Sequence, residues 1–208
     1  MPPVWPLVLS DAELTLRPLR RRDRRAFETL LVRNREWLAP WDATDPERRR
    51  PRPTHGELLR WAEREGRAGR HLSLLLCADG RPAGQVSAGP ILYGAQSSAM
   101  IGYWVDHARA GRGYAPRGVA LLIDHLFAEV GLHRVEINIR PENEASLRVA
   151  RKLHLREEGL RERFIHVDGA FRDHLSFALT ADEVETDERG RGVLARYRRE
   201  HMGATGAS

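Results

Sequence analysis

The chain has 208 residues, a single cysteine, Cys77, and 34 lysines and arginines against 29 aspartates and glutamates, a net charge of +5. That length suits one domain whose core needs no covalent staples. One cysteine excludes an internal disulfide framework and a multi-cysteine zinc site, and the mild basicity falls short of the concentrated basic face of a dedicated nucleic-acid binder. No apolar run reaches the roughly 18 residues that span a membrane, and residues 1–9 are too short and too proline-rich for a signal peptide, so a cytoplasmic location is expected.

In chain order, Leu14 and Leu16 alternate with polar neighbours and predict a first strand. Asp23 is expected to cap a helix running to about Leu38, with Ala26, Phe27, Leu30, Leu31, Asn34 and Leu38 on one face. Residues 40–53 are rich in proline and charge and read as a loop, followed by a helix over 54–68. Three strands are predicted over 72–78, 83–91 and 99–105, the first two joined by the Asp79-Gly80 hairpin signal. Cys77 lies in the first of these and reads as a buried small hydrophobe.

From Pro116 onward, Val119, Leu122, Ile123, Leu126, Phe127 and Val130 follow helical spacing, with Gly131 as the exit. A strand over 133–139 follows, then a helix capped by Asn143, then a hairpin of 157–167 with 171–179 around Asp168-Gly169. We expect one domain over residues 1–185 and a charged helical tail over 186–208 with a disordered Gly/Ala/Ser end.

Between the strand over 99–105 and the 116–130 helix lie Arg109, Ala110, Gly111, Arg112, Gly113, Tyr114 and Ala115. Two glycines allow close backbone approach, and a helix N-terminus offers unpaired N–H groups with partial positive charge; together they suit a diphosphate. A Walker P-loop is excluded because no Gly-Lys-Ser/Thr follows. A dinucleotide fingerprint fits poorly, because Pro116 replaces its third glycine and Glu136 lies inside a strand. An acyl-coenzyme A loop and a plain glycine-rich turn remain.

The stretch "RAGRGYAPRGVALLIDHLFAEVGLHRVEINIRPENEASLRVARKLHLREEG" resembles the central motifs of GNAT acetyltransferases. The segments "LTLRPLRRRDRRAFETLLVRNREWLAPW" and "VDGAFRDHLSFAL" resemble the Rim-type ribosomal-protein alanine N-acetyltransferases within that superfamily. The resemblance covers nearly all of residues 14–179. It implies an α/β (α+β) acyl-CoA N-acyltransferase fold, a mixed, mostly antiparallel sheet flanked by helices, with the parallel strands over 99–105 and 133–139 splayed apart. It further implies acetyl-CoA as cosubstrate without a metal, its pyrophosphate held by the 110–115 backbone and its channel lined by Asn143.

Two departures from the family pattern stand out. Ala110 replaces the usual Gln or Arg of the loop, and Lys152-Leu153-His154-Leu155 replaces Lys-Leu-Gly-Phe, with His154 read as a tolerated substitution. Ala150 occupies the place of the tyrosine general acid in many relatives. Ser146, three residues after Asn143, is the Rim-type alternative, against a purely local hydrogen-bonding role. Asn138 stands where some relatives carry a glutamate, which leaves Glu136 as a candidate base, against an ion pair with Arg134 or Arg140.

Trp37 and Trp41 fall where relatives build part of the peptide cleft. The expected reaction is acetyl transfer by direct attack in a ternary complex onto the N-terminal α-amine of a (ribosomal) protein that begins with Ala or Ser. The alternatives are a small-amine or antibiotic acetyltransferase of the same fold and a non-catalytic acyl-CoA-sensing or ribosome-binding module.

Overall fold

The computed structural model describes residues 5–47, 53–185 and 192–202. Part of the 40–53 loop (48–52), the beginning of the charged tail (186–191) and its expected disordered end (203–208) lie outside the described residues, as do residues 1–4.

Eight strands build one sheet in the order β1-β2-β3-β4-β5-β6-β8-β7. They are β1 (Leu9–Asp11), β2 (Leu14–Pro18), β3 (Leu72–Ala78), β4 (Arg81–Leu92), β5 (Ser98–Val105), β6 (Arg134–Ile139), β7 (Arg156–Val167) and β8 (Ala170–Thr180). Every neighbouring pair is antiparallel except β5 and β6, which run parallel. The mixed, mostly antiparallel sheet implied by the resemblance is therefore the one observed. Strand β1 escaped the sequence pattern because three residues are too few to show alternation.

Side chains alternate across the strands and define two layers. On one face Leu14, Leu16, Leu72, Leu74 and Leu76 join the apolar side of α4 (Tyr114–Ala128) in the main core. On the other, Leu75 and Cys77 pack with Phe27 of α1 (Arg24–Arg33) in a smaller cluster. Burial there pushes the Cys77 thiol above its ordinary pKa, so the side chain is an inert filler rather than a nucleophile.

Helix α3 (His55–Arg67) starts as its sequence dictates. The Thr54 hydroxyl accepts from the Glu57 N–H, and the Glu57 carboxylate reaches back to the Thr54 N–H at 2.8 Å. The first helix differs from expectation. Asp23 does not cap it; its carboxylate takes the Arg20 N–H at 2.8 Å and the Arg17 guanidinium at 2.7 Å, closing a short turn ahead of α1.

The helix is also broken at Asn34, and a one-turn α2 (Arg35–Leu38) follows. Asn34 keeps the helical spacing of an apolar face but is fully buried as a polar junction. Its amide donates to the Leu30 carbonyl at 2.8 Å and to Asp106 at 2.9 Å, and its side-chain oxygen accepts from the His107 N–H at 2.8 Å. The junction ties α1 to the end of β5, where the glycine loop begins.

Helix α5 (Glu144–Lys152) is capped by Asn143, whose side chain accepts from the Ser146 N–H at 3.1 Å. A final helix, α6 (Val193–His201), packs on α4 and buries Val193, Leu194 and Tyr197. Asp124 of α4 caps its N-terminus, accepting from the N–H groups of Val193 at 2.8 Å and Leu194 at 3.1 Å. His154 takes a left-handed φ of 56° at the exit of α5, a conformation glycine usually supplies, and reaches Glu200 of α6 at 2.7 Å. That bond gives the substitution at this turn a structural purpose remote from the sheet's centre.

Candidate active site

The parallel pairing of β5 and β6 covers only Ser98 with Arg134, Ala99 with Val135 and Met100 with Glu136. Beyond Met100 the two strands part, while β5 stays bonded to β4 as far as Val105 and β6 to β8 as far as Ile139. The backbone polar groups that face the gap have lost their partner strand and are available to a guest. A cavity of about 930 Å³ runs through this gap from the glycine loop to the opposite face of the sheet.

At one end of the cavity, Gly111 and Gly113 have left-handed φ values of 78° and 74°. Gly113 is the N-cap of α4, and the first bond from its carbonyl is to the Arg117 N–H at 3.3 Å. The N–H groups of Gly113, Tyr114 and Ala115 therefore have no acceptor inside the helix, and Pro116 has none to offer. A Cβ built on Gly111 would meet nothing within 4 Å, so that side of the loop is open; one on Gly113 would meet the Tyr197 hydroxyl at 3.1 Å. Helix α6 thus buttresses the loop from behind. Of the six loop residues singled out in the sequence, Ala110, Gly111, Gly113, Tyr114 and Ala115 line the cavity and Arg112 does not. Arg109, Arg148 and Lys152 line it too, adding positive charge where an anionic cofactor would sit.

In the middle of the cavity, Asn143 and Ser146 project from the start of α5. The Ser146 N–H goes to Asn143, and its carbonyl accepts the Tyr103 hydroxyl at 3.3 Å. No hydrogen bond of the Ser146 hydroxyl occurs among the described residues, which counts against a purely local role. Burial pushes the Tyr103 hydroxyl up to about 12, so it stays protonated at neutral pH.

Glu136 requires a correction. Its carboxylate is held by Arg134 at 2.8 Å and Arg161 at 3.3 Å, and it does not line the cavity. Strand alternation does put it on the same face as Asn138, but nearer the closed end of the gap, within reach of arginines on β6 and β7. The ion-pair reading is the one its geometry supports.

The far end of the cavity is aromatic. Trp37 stacks on His107 with ring centroids 4.4 Å apart, and the Arg140 guanidinium lies 5.5 Å above the Trp41 ring. The segment around Trp41 is strapped across the sheet, with Arg140 donating to the Pro40 carbonyl at 2.7 Å and the Thr44 N–H to the His166 carbonyl at 2.8 Å. Trp61, Trp104 and His174 complete this wall. Nothing local in the chain marks these three as wall residues, because α3, β5 and β8 meet here from points far apart in the chain. Among the described residues no group of three or more His, Cys, Asp or Glu side chains is placed to hold a metal ion.

A sheet split between two parallel strands, with an anion-binding helix start on one side and an aromatic cleft on the other, is the architecture of an acyl-CoA-dependent N-acyltransferase domain. Residues 13–156 match the family model "Acetyltransferase (GNAT) domain", and the chain belongs to that family. Its fold superposes on Mycobacterium smegmatis RimJ, solved in complex with CoA-disulfide, with a TM-score of 0.84 and 36% identity over 94% of this chain and 95% of that one. It is 22% identical to the [ribosomal protein uS5]-alanine N-acetyltransferase of Escherichia coli (strain K12), covering 84% of this chain and 91% of that enzyme. With the probable N-acetyltransferase YjcK of Bacillus subtilis it shares 35% identity over 109 residues, which span 60% of YjcK's own length. The site is therefore that of an acetyl-CoA-dependent N-acetyltransferase domain.

Proposed function

We propose that this protein transfers the acetyl group of acetyl-CoA to the N-terminal α-amine of a protein, most favourably one that begins with Ala or Ser, in the cytoplasm. The observation that carries the reading is the through-going cavity: a cofactor can enter from the α4 side while a peptide enters from the face walled by Trp37 and Trp41. Direct attack in a ternary complex needs such a two-sided passage. The E. coli relative, a [ribosomal protein uS5]-alanine N-acetyltransferase, supports a ribosomal protein as acceptor.

In this scheme the N–H groups of Gly113, Tyr114 and Ala115 hold the pyrophosphate, and the pantetheine arm fills the gap between β5 and β6, past Asn143. The amine nitrogen attacks the thioester carbonyl, the C–N bond forms and the C–S bond breaks. Ser146 protonates the departing thiolate and is reprotonated from the amide nitrogen. An α-amine has a pKa of about 8 against about 10.4 for lysine, so near pH 7 its neutral fraction is roughly two orders of magnitude larger. No carboxylate stands at Asn138 to make up that difference.

The cofactor half is tested by Ala115→Asp. A carboxylate in the first turn of α4 stands beside the place proposed for the pyrophosphate, so coenzyme A affinity measured by calorimetry should fall at least about tenfold, with thermal unfolding run alongside because Ala115 also packs on the main core. Unchanged affinity would remove the loop from the binding site. The acceptor half is tested by an amine panel read by mass: peptides beginning with Ala, Ser, Leu or Phe, a polyamine and an aminoglycoside. Preferential acetylation of a small amine would favour the second reading of the fold.

A further inference from the structure

We propose that His174 is the general base of this site, the group that takes the proton from the bound α-ammonium before attack; the proposal rests on the peptide-acceptor reading above. His174 lies on β8, the strand bonded to β6 on the side away from the gap. Asn138 and Ser176 face one another across β6 and β8, and Ile139 faces Leu175. By alternation, His174 therefore shares the acceptor face with Asn138 and Ser176, beside Arg140, at the open end of the split. It is buried in the protein but lines the cavity.

Its tautomer follows from its partner. Nδ1 lies 3.0 Å from the Arg172 carbonyl, which can only accept, so Nδ1 carries the hydrogen and Nε2 carries the lone pair. Nε2 has no hydrogen bond among the described residues, yet it is not one of the sealed, unpartnered polar atoms, so it is open to the cavity. The Phe164 ring meets the imidazole edge-on with centroids 6.1 Å apart and restricts its rotation.

The Asn138 amide nitrogen nearby is such a sealed atom: it has no partner, while its oxygen accepts from the Ser176 hydroxyl at 2.6 Å. The acceptor face thus presents one fixed lone pair, that of His174 Nε2, which suits an ammonium. His71, the other histidine of the cavity wall, precedes β3 and is separated from β5 by β4.

Burial biases His174 toward its neutral form. Burial lowers its pKa, and Arg140 lowers it further; Asp173, Glu142 and the Arg172 carbonyl act in the opposite sense without reversing the shift. Arg161 faces it from β7 in the strand register, and Asp42 lines the same cavity from the strap. The proton passes from the α-ammonium to Nε2, directly or through one water, and then to solvent. The amine's remaining surplus proton leaves through Ser146 to the thiolate, so the step balances with no further reactant. Transfer from an α-ammonium of pKa about 8 to an imidazole below 6.5 is uphill by more than about one unit, and from lysine by about four or more. The same histidine therefore favours an α-amine.

The test is the pH dependence of kcat in the wild type and in His174→Gln, at saturating concentrations of whichever panel amine the wild type acetylates. In the wild type the acid limb of kcat should lie below pH 6.5. In His174→Gln it should move up to about 8, the amine's own pKa, with a loss of about tenfold at pH 7 that nearly vanishes by pH 9. Coenzyme A affinity should not change. A loss equal at both pH values, or no loss, would overturn the assignment. A second measurement needs no variant: NMR titration of the wild-type His174 ring should show a neutral imidazole at pH 7, and a ring still protonated there would equally overturn it. The panel's preferred amine decides the acceptor reading separately from both results.

Discussion

Replacing Ser146 with alanine should lower turnover by about 100- to 10,000-fold, the usual cost of removing a general acid, and leave coenzyme A affinity within a factor of about three. The split follows from the geometry. The groups that Ser146 lends to structure are its backbone N–H, held by Asn143, and its carbonyl, held by Tyr103, and alanine keeps both. Only the hydroxyl is lost, and it supports nothing else among the described residues. Single-turnover rates with acetyl-CoA, beside calorimetry with coenzyme A, separate the two quantities. A variant with wild-type turnover would return Ser146 to a structural role in α5.

Replacing Arg117 with methionine should destabilise the fold by about 3 kcal/mol, the lower end of the range for breaking a buried ion pair. Arg117 lies in the first turns of α4 and is almost fully buried. It donates to the Asp11 carboxylate at 2.6 Å, to the Asp11 carbonyl at 2.8 Å and to Glu13 at 2.6 Å. Methionine fills the volume but leaves Asp11 with Arg198 of α6 as its remaining cation, and that arginine is partly exposed. For this reason we expect the lower end of the range. Urea unfolding of Arg117→Met, and of the double variant with Asp11→Asn, reads the effect; the second change should restore part of the loss.

The sign with pH is also fixed. The Arg117 bond holds the Glu13 carboxyl below its usual range, so this contribution is present above the unfolded pKa and is lost as pH falls through the folded value. The wild type's advantage over Arg117→Met should narrow on acidification. A variant as stable as the wild type would mean that the buried cluster is neutral to folding.

What could be read in the sequence was set by how local its causes are. Helix α4 announced itself through period and punctuation, from Pro116 to Gly131, and residues 54–68 read as a helix once the proline-rich loop ended. The glycine loop joined to α4 fitted an anion from residue type alone. Asn34 shows the limit: it keeps the helical period, yet the helix ends there because Asp106 and His107, more than 70 residues away, take its side chain.

Glu136 shows a second limit, since alternation fixes a face but not which end of a splayed gap a residue occupies, nor which arginines of β7 arrive there. The aromatic wall was half legible. Trp37 and Trp41 lie close together in the chain, whereas Trp61, Trp104 and His174 meet them only through the sheet order. Helix α6 read as a charged tail because its apolar residues are few. Val193, Leu194 and Tyr197 suffice, given the cap that Asp124 supplies.

Acceptor choice separates an α-amine from a lysine side chain. Two peptides of one sequence are compared under acetyl-CoA, one with a free N-terminal alanine and no lysine modification, the other with its α-amine blocked and a lysine left free, and the acetylated fraction is read by mass. The free α-amine should be acetylated at a rate roughly two orders of magnitude above that of the lysine near pH 7. Faster acetylation of the blocked peptide would contradict this and move the function to side-chain or small-amine acetylation.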